Sequence, residues 1–255
     1  MRSVAHWRVV DSRAGAYGEA HAEVYDRIYG PRRTTTDAVS ALVAAAGPGG
    51  RILELGLGTG RLAIPLAERG VVIDGIEASE AMIRRLREQP GGDRIGVFQY
   101  DLTSFDLPGP RYDVAVSAVS TLFMLPGHKA QTSCLASAAR HLRTEGALFI
   151  EAFRPDPTRY DADGLRVESR PHPDGGTHVV RSHHDARRRC IEITHELTGP
   201  PGAGTYEVTL HYATPDELDT MADAAGLARR ARWHDWTGTP ATGSSTDPIS
   251  IYRPS

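Results

Sequence analysis

The stretch Arg51-Ile52-Leu53-Glu54-Leu55-Gly56-Leu57-Gly58-Thr59-Gly60-Arg61 restricts this chain more than any other. Ile52 to Leu55 is an apolar run broken by one carboxylate, long enough for a buried strand. Three glycines follow at alternate positions, and Leu62 to Leu66 opens a helical pattern. A strand that passes through glycines into a helix N-terminus brings backbone N–H groups close around a ligand. The expectation is an open α/β sheet that binds at the carboxyl ends of its strands. A pyrophosphate turn wants G-x-G-x-x-G, with a third glycine that lets helix and strand pack closely. Arg61 stands at that third position, so a dinucleotide is poorly supported. By itself the turn also fits a plain structural connection.

Acids further along add to it. The next strand candidate, Val71 to Ile76, ends at Glu77, where an α/β nucleoside site holds ribose hydroxyls on a carboxylate. Ser79 then suits the N-cap of a helix running through Ala81-Met82-Ile83 to Arg87. A third strand candidate, Ile95 to Tyr100, runs into Asp101-Leu102. In this order the chain resembles the class I S-adenosylmethionine (SAM)-dependent methyltransferases, whose E/D-x-G-x-G-x-G signature is matched from Glu54 to Gly60. The resemblance implies S-adenosyl-L-methionine as cofactor, with Glu54, Gly56, Gly58 and Gly60 at the turn and Glu77 and Ala78 at the ribose. Met82 would cover one face of the adenine, Asp101 would accept from its amino group, and the Leu102 backbone would touch the ring. Taken singly, Met82 reads equally well as core packing and Asp101 as a solvated turn acid.

The word His21-Ala22-Glu23-Val24-Tyr25-Asp26-Arg27-Ile28-Tyr29 resembles the A-x-x-Y-D-x-[IF]-Y motif of bacterial small-molecule methyltransferases, notably amino-sugar N,N-dimethyltransferases. It implies a helix over the cofactor, with a tyrosine reaching cofactor or acceptor. That helix is expected from Glu19 to a stop at Gly30-Pro31. Tyr25 and Tyr29 are one turn apart, on a shared face that also suits plain amphipathic packing. Tyr112 to Ser117 matches the family's Y/F-D-x-V strand, so Ser117 and the loop Ala118 to Met124 are expected at the methionine end of the cofactor. Sugar-methylating relatives often carry a histidine in that loop. This chain has Phe123 and Met124, with His128 later, a departure that points toward an apolar acceptor.

Elsewhere the pattern gives helices over Asp37–Ala46 and Gln131–Leu142 and a fifth strand over Gly146–Phe153 that carries Glu151 late. Leu165–Glu168, His178–Ser182, Cys190–Leu197 and Tyr206–Tyr212 read as an antiparallel meander, with turns at Pro173-Asp174-Gly175-Gly176 and Pro200-Pro201-Gly202. Thr214-Pro215-Asp216-Glu217 is a capping box opening a helix to Ala225. Ala228–Trp236 and Pro248–Arg253 complete the strands. The fold expected is α/β and Rossmann-like: seven strands, mostly parallel with the last antiparallel, and an inserted β meander. Its parts are a flexible N-terminal arm (1–18), a cofactor-binding core with a lid helix (19–160), the insertion (161–212) and a return to the core (213–255). The insertion is expected to serve as a lid or a homodimer surface.

With 255 residues, 40% hydrophobic, the chain is long enough for one such domain with an insertion. Its net charge of −3 and lack of a long Lys/Arg run argue against a nucleic-acid partner, which wants a basic face. Cys134 and Cys190 form no C-x-x-C, and His183-His184-Asp185 reads as a solvated turn, so no metal is expected. No signal peptide or long apolar segment opens the chain, so a cytoplasmic protein with no membrane partner is expected.

The activity expected is methyl transfer to O or N of a small-molecule acceptor, in secondary metabolism. If that acceptor needs a base, the candidates in order are Tyr25, His128, His211 and Glu151, none singled out by spacing. The alternatives are the same fold reused for non-methylating chemistry such as cyclisation, or as a binding module. An NAD-dependent oxidoreductase is disfavoured by Arg61 and by the lack of Tyr-x-x-x-Lys.

Overall fold

The computed structural model describes residues 15–29, 34–109, 111–171, 175–199 and 202–255. Most of the expected N-terminal arm, the Gly30-Pro31 stop and the prolines of the two expected meander turns lie outside the described residues. The lid region starts with α1 (Ala16–His21) and α2 (Tyr25–Tyr29). Helix thus begins inside the stretch expected as an arm, and the single helix expected from Glu19 is broken at residues 22–24.

Chain order then gives α3 (Thr34–Ala46), β1 (Arg51–Leu55), α4 (Ala63–Glu68), β2 (Val72–Ile76), α5 (Glu80–Glu88), β3 (Gly96–Phe98), β4 (Tyr112–Ser117), α6 (Gly127–His141) and β5 (Leu142–Glu151). β5 starts directly at the end of α6, four residues before the expected Gly146. The insertion is β6 (Leu165–Pro171), β7 (Thr177–Asp185), β8 (Cys190–Leu197) and β9 (Gly204–His211). After it come α7 (Pro215–Ala224), β10 (Leu227–Trp233) and β11 (Ile249–Pro254).

Seven strands form one sheet in the order β10-β11-β5-β4-β1-β2-β3. β11 runs antiparallel between β10 and β5, and the other pairings are parallel. The expected antiparallel last strand is therefore present, wedged between the fifth and sixth. Parallel strands need both faces covered. One apolar cluster, with Leu53, Leu55, Ala115 and Leu148, packs toward α6 and α7; a second, with Ile52, Val114, Val116 and Phe149, packs toward α3 and α4. The strand order reverses between β1 and β4, and a crevice at such a switch point is where this architecture takes its ligand.

Local chemistry sets the helix starts. Ser79 caps α5, its hydroxyl accepting from Met82 N at 3.1 Å. Thr214 and Glu217 form the reciprocal capping box of α7, worth about 1 kcal/mol in such settings. The insertion is a separate four-stranded antiparallel sheet in the order β6-β7-β8-β9. Among the described residues, no helix is long and apolar enough to cross a membrane.

Candidate cofactor and acceptor site

Gly56, Gly58 and Gly60 have φ of 81°, 55° and 90°, in the left-handed region that side-chain-bearing residues rarely adopt. A methyl on Gly56 would collide with the Thr121 side chain, and one on Gly60 with Leu86. At Gly58 the nearest atoms to such a methyl belong to the Tyr25 ring, at 4.0 Å. That glycine keeps the space between turn and lid open.

Glu77 closes the turn from the end of β2. Its Oε2 accepts from Gly58 N at 2.8 Å and its Oε1 from Ser79 N at 2.9 Å. A carboxylate therefore sits where a phosphate would have to bind, which rejects a pyrophosphate by repulsion. Each oxygen keeps a second lone pair for a ribose hydroxyl. Desolvation raises the pKa of this group, against the pull of the backbone N–H donors.

Glu54 is buried with 5% of its surface exposed. Desolvation pushes its carboxyl up to about 8, the Arg61 guanidinium and Ala63 N–H pull down, and Glu77 pushes up. Its Oε2 is buried without a hydrogen-bond partner, as is Ser117 Oγ at the end of neighbouring β4. Arg61, the residue that broke the dinucleotide pattern, reaches α3 through Thr35 Oγ1 at 2.8 Å. Unpaired buried acceptors around an open glycine, with a carboxylate on the turn's N–H, fit a phosphate-free cationic nucleoside such as SAM.

The remaining expected contacts are placed as follows. Met82 is buried against Tyr17, Ala22, Tyr25 and Ala81. Asp101 Oδ1 accepts from Thr103 N at 2.7 Å and Thr103 Oγ1 at 2.8 Å, a local turn. Leu102 packs on the core. The Ala78 carbonyl accepts from Gln99 Nε2 at 3.3 Å.

Two acids latch the lid, and sequence reasoning missed both. Glu19 Oε1 accepts from Ser79 Oγ at 2.8 Å and Ala81 N at 3.0 Å, capping α5 from another helix. Asp26 Oδ1 accepts from Thr59 Oγ1, inside the glycine turn, at 2.7 Å. Gly18 approaches Ser79 so closely that any side chain would collide. The Tyr-Asp pair of the N-terminal motif carried a signal for Asp26; nothing in the sequence pointed to Glu19.

Of the four base candidates, only Tyr25 stands at the glycine turn. His128 lies in the first turn of α6, its Nε2 buried without a partner. The His211 ring feels Arg188 and Glu192, and burial lowers its pKa. Glu151 is engaged at both oxygens: Oε2 accepts from Val119 N at 2.8 Å and Oε1 from Trp236 Nε1 at 3.1 Å. Val119 and Ser120 have φ of 51° and 58°, strained values that a β-branched residue hardly tolerates. Glu151 thus clamps the loop after β4, its backbone carbonyl also accepting from Ser120 N at 2.9 Å. Glu151→Ala leaves two buried donors unpaired and is expected to cost about 2–3 kcal/mol in urea unfolding. An unchanged midpoint would remove the clamp from this account. His183 and His184 are held by Glu192 and the Tyr212 hydroxyl, and no group of three His, Cys, Asp or Glu among the described residues is placed for a metal.

A cleft of about 590 Å³ opens between α1 and β9, lined by Tyr17 and His21, by Met124 and by Thr205 to Thr209. Tyr17 also packs on Met82 of α5, while Thr59, Gly60 and Arg61 of the glycine turn line a separate cleft together with Tyr25. His128, His211 and Glu151 do not line it.

Residues 52–146 match the family model described as a methyltransferase domain. Over 246 residues the chain is 25% identical to the cypemycin N-terminal methyltransferase of a Streptomyces species, covering 95% of this chain and 99% of the relative. The CcbJ methyltransferase from Streptomyces caelestis superposes with a TM-score of 0.85 at 32% identity, covering 95% of this chain and 99% of that one. SAM-bound CalS10, an amino pentose methyltransferase from Micromonospora echinaspora, shares the fold at a TM-score of 0.67 and 18% identity, covering 98% and 100%.

Proposed function

Since the chain belongs to the SAM-dependent methyltransferases, we propose that it methylates an amine nitrogen of a small molecule in secondary metabolism. The observation that carries the nitrogen is the charge of the cleft. Among the described residues its one carboxylate, Glu207, is exposed, and burial lowers the pKa of His21. Among the described residues, no Lys or Arg lines the cleft. Such a cleft attracts an ammonium and does nothing for a phenolate. The cypemycin enzyme's name, which specifies an N-terminus, agrees with a nitrogen acceptor.

When bound, the cofactor supplies a sulfonium methyl: the C–S bond breaks as the amine lone pair forms the N–C bond, and the nitrogen's proton leaves to water. This chain's residues position the partners, and alignment of this kind supplies as much as ~7–11 kcal/mol of acceleration. Glu77 holds the ribose, Glu54 and Ser117 face the methionine end, and Met82 backs the adenine, with Asp101 and Leu102 at its edge. Tyr25 covers the turn, and Glu151 acts as a positioning residue through Val119. An amine that loses its proton in solution needs no dedicated base, so His128 and His211 carry no role in the step. The test is product mass: incubation with SAM and a primary or secondary amine should add one CH2 per turnover. Methylation of a phenol with none of any amine would overturn the nitrogen assignment.

A further inference from the structure

The insertion meets the lid through a string of hydrogen-bonded rings. Val180 of β7, His195 of β8 and Tyr206 of β9 stand side by side on one face of the small sheet, with His178 one pleat along. His195 and His178 are 6% and 1% exposed, and His195 Nδ1 lies 3.0 Å from His178 Nε2. One end of this pair reaches Arg170 of β6, whose Nη2 is 3.2 Å from His178 Nδ1. The other end reaches the lid, where His195 Nε2 is 3.3 Å from Tyr29 Oη.

Arg170 sets the direction of both histidine links. A guanidinium donates and cannot accept, so His178 Nδ1 carries the lone pair and its Nε2 the proton. His178 Nε2 then donates to His195 Nδ1, which leaves the His195 proton on Nε2, donating to Tyr29 Oη. The arrangement needs a neutral His195. Burial, with His178, His21 and Arg170 nearby, lowers the pKa of that ring to about 4, which keeps it neutral near pH 7.

Tyr29 carries the string to the cofactor site. Its Oη also accepts from Tyr17 Oη at 3.2 Å, and its ring packs on Tyr25 with centroids 4.9 Å apart. Tyr17 packs on Met82, and the Tyr25 ring stands nearest to Gly58. Ile193 and Leu197 flank His195 on the same face, so an apolar side chain would suit that position for packing alone. Histidine there adds a fixed direction, at the cost of desolvating a polar ring.

We propose that His195 is a positioning residue for methyl transfer: it holds Tyr29, and through Tyr29 the two tyrosines over the cofactor site, while Arg170 selects the tautomer that can do so. This rests on the methyl-transfer reading and gives the insertion its part in it, as a brace for the lid.

The test uses the full chain with S-adenosylhomocysteine as probe, its affinity taken by titration calorimetry and its release by stopped-flow dilution, with thermal unfolding to show that each variant folds. His195→Leu should weaken binding about tenfold, through faster release, for the loss of one buried hydrogen bond. His195→Gln should restore it to within threefold of wild type, because the amide oxygen accepts where Nδ1 did and the NH2 donates where Nε2 did. Arg170→Met, which frees the other tautomer, should cost about threefold. In a Tyr29→Phe background, which keeps the ring and removes its oxygen, His195→Leu and His195→Gln should each add no more than about twofold. Leucine binding as well as histidine overturns the proposal, and so does glutamine binding no better than leucine, which would make the site one of shape alone. Losses that simply add in the Tyr29→Phe background overturn the link to the lid, and an unchanged Arg170→Met overturns the tautomer lock. Failure of the wild type to bind S-adenosylhomocysteine overturns the methyl-transfer reading itself.

Discussion

Glu77→Ala is expected to weaken S-adenosylhomocysteine binding about 100-fold or more, measured by titration calorimetry. Two losses add. Ribose hydroxyls donate to a carboxylate through charge-assisted bonds worth about 1.5–3 kcal/mol each, and both disappear. The same carboxylate holds Gly58 N and Ser79 N, so the turn and the start of α5 lose their common anchor. Glu77→Gln separates these parts. Its single amide oxygen keeps one acceptor, while its NH2 group faces a backbone N–H it cannot accept from. The glutamine variant should therefore bind intermediately. Binding of the alanine variant within threefold of wild type would show that Glu77 serves the turn alone and would move the ribose site elsewhere.

The grouping of these residues was legible because they are local. Strand, turn and acid follow one another along the chain, and Glu54, Gly58 and Glu77 come together as their spacing implies. Groups whose partners come from distant segments were not legible. Glu19 bonds a helix some sixty residues later, and no periodicity encodes that pairing. Glu151 was singled out for its place late in β5, yet its oxygens are spent on Val119 N and Trp236 Nε1, contacts visible only once β5, the β4 loop and the C-terminal loop are assembled. The break at residues 22–24 was hidden because Ala22, Val24 and Ile28 are all buried, which looks continuous along the chain whether one helix or two carry them. The meander was readable as strands, but which strand would lie at its edge depends on pairing, and alternation alone does not specify it.

Glu54 is expected to make stability fall with rising pH and to make cofactor binding release a proton. Its carboxyl titrates near 4.5 when solvated and at about 8 in the folded protein, because its desolvation outweighs Arg61. Between those values the folded state keeps a proton that the unfolded chain has given up. The stabilisation is complete below about pH 4.5 and is lost as pH climbs toward 8. At ~1.4 kcal/mol per pH unit of separation, the full swing approaches about 5 kcal/mol, an upper figure because water entering the crevice screens the group. The buried His195 ring works in the opposite direction: burial and His178 lower it to about 4, so acid costs stability as pH falls below 6.5. Urea unfolding of the free protein should consequently be nearly level between about pH 4.5 and 6.5, where the two slopes cancel, and fall toward pH 8; Glu54→Gln should flatten that alkaline limb and uncover the His195 loss below pH 6.5. Binding supplies the second check. A sulfonium and an ammonium brought beside Glu54 and Glu77 favour their charged forms, so protons leave as the cofactor enters. Calorimetry at pH 7 in two buffers of different ionisation enthalpy should detect close to one proton released per S-adenosylmethionine bound, and clearly less in Glu54→Gln. Zero release in the wild type would mean that Glu54 is already ionised in the free protein, with its negative charge balanced by Arg61 rather than waiting for the ligand.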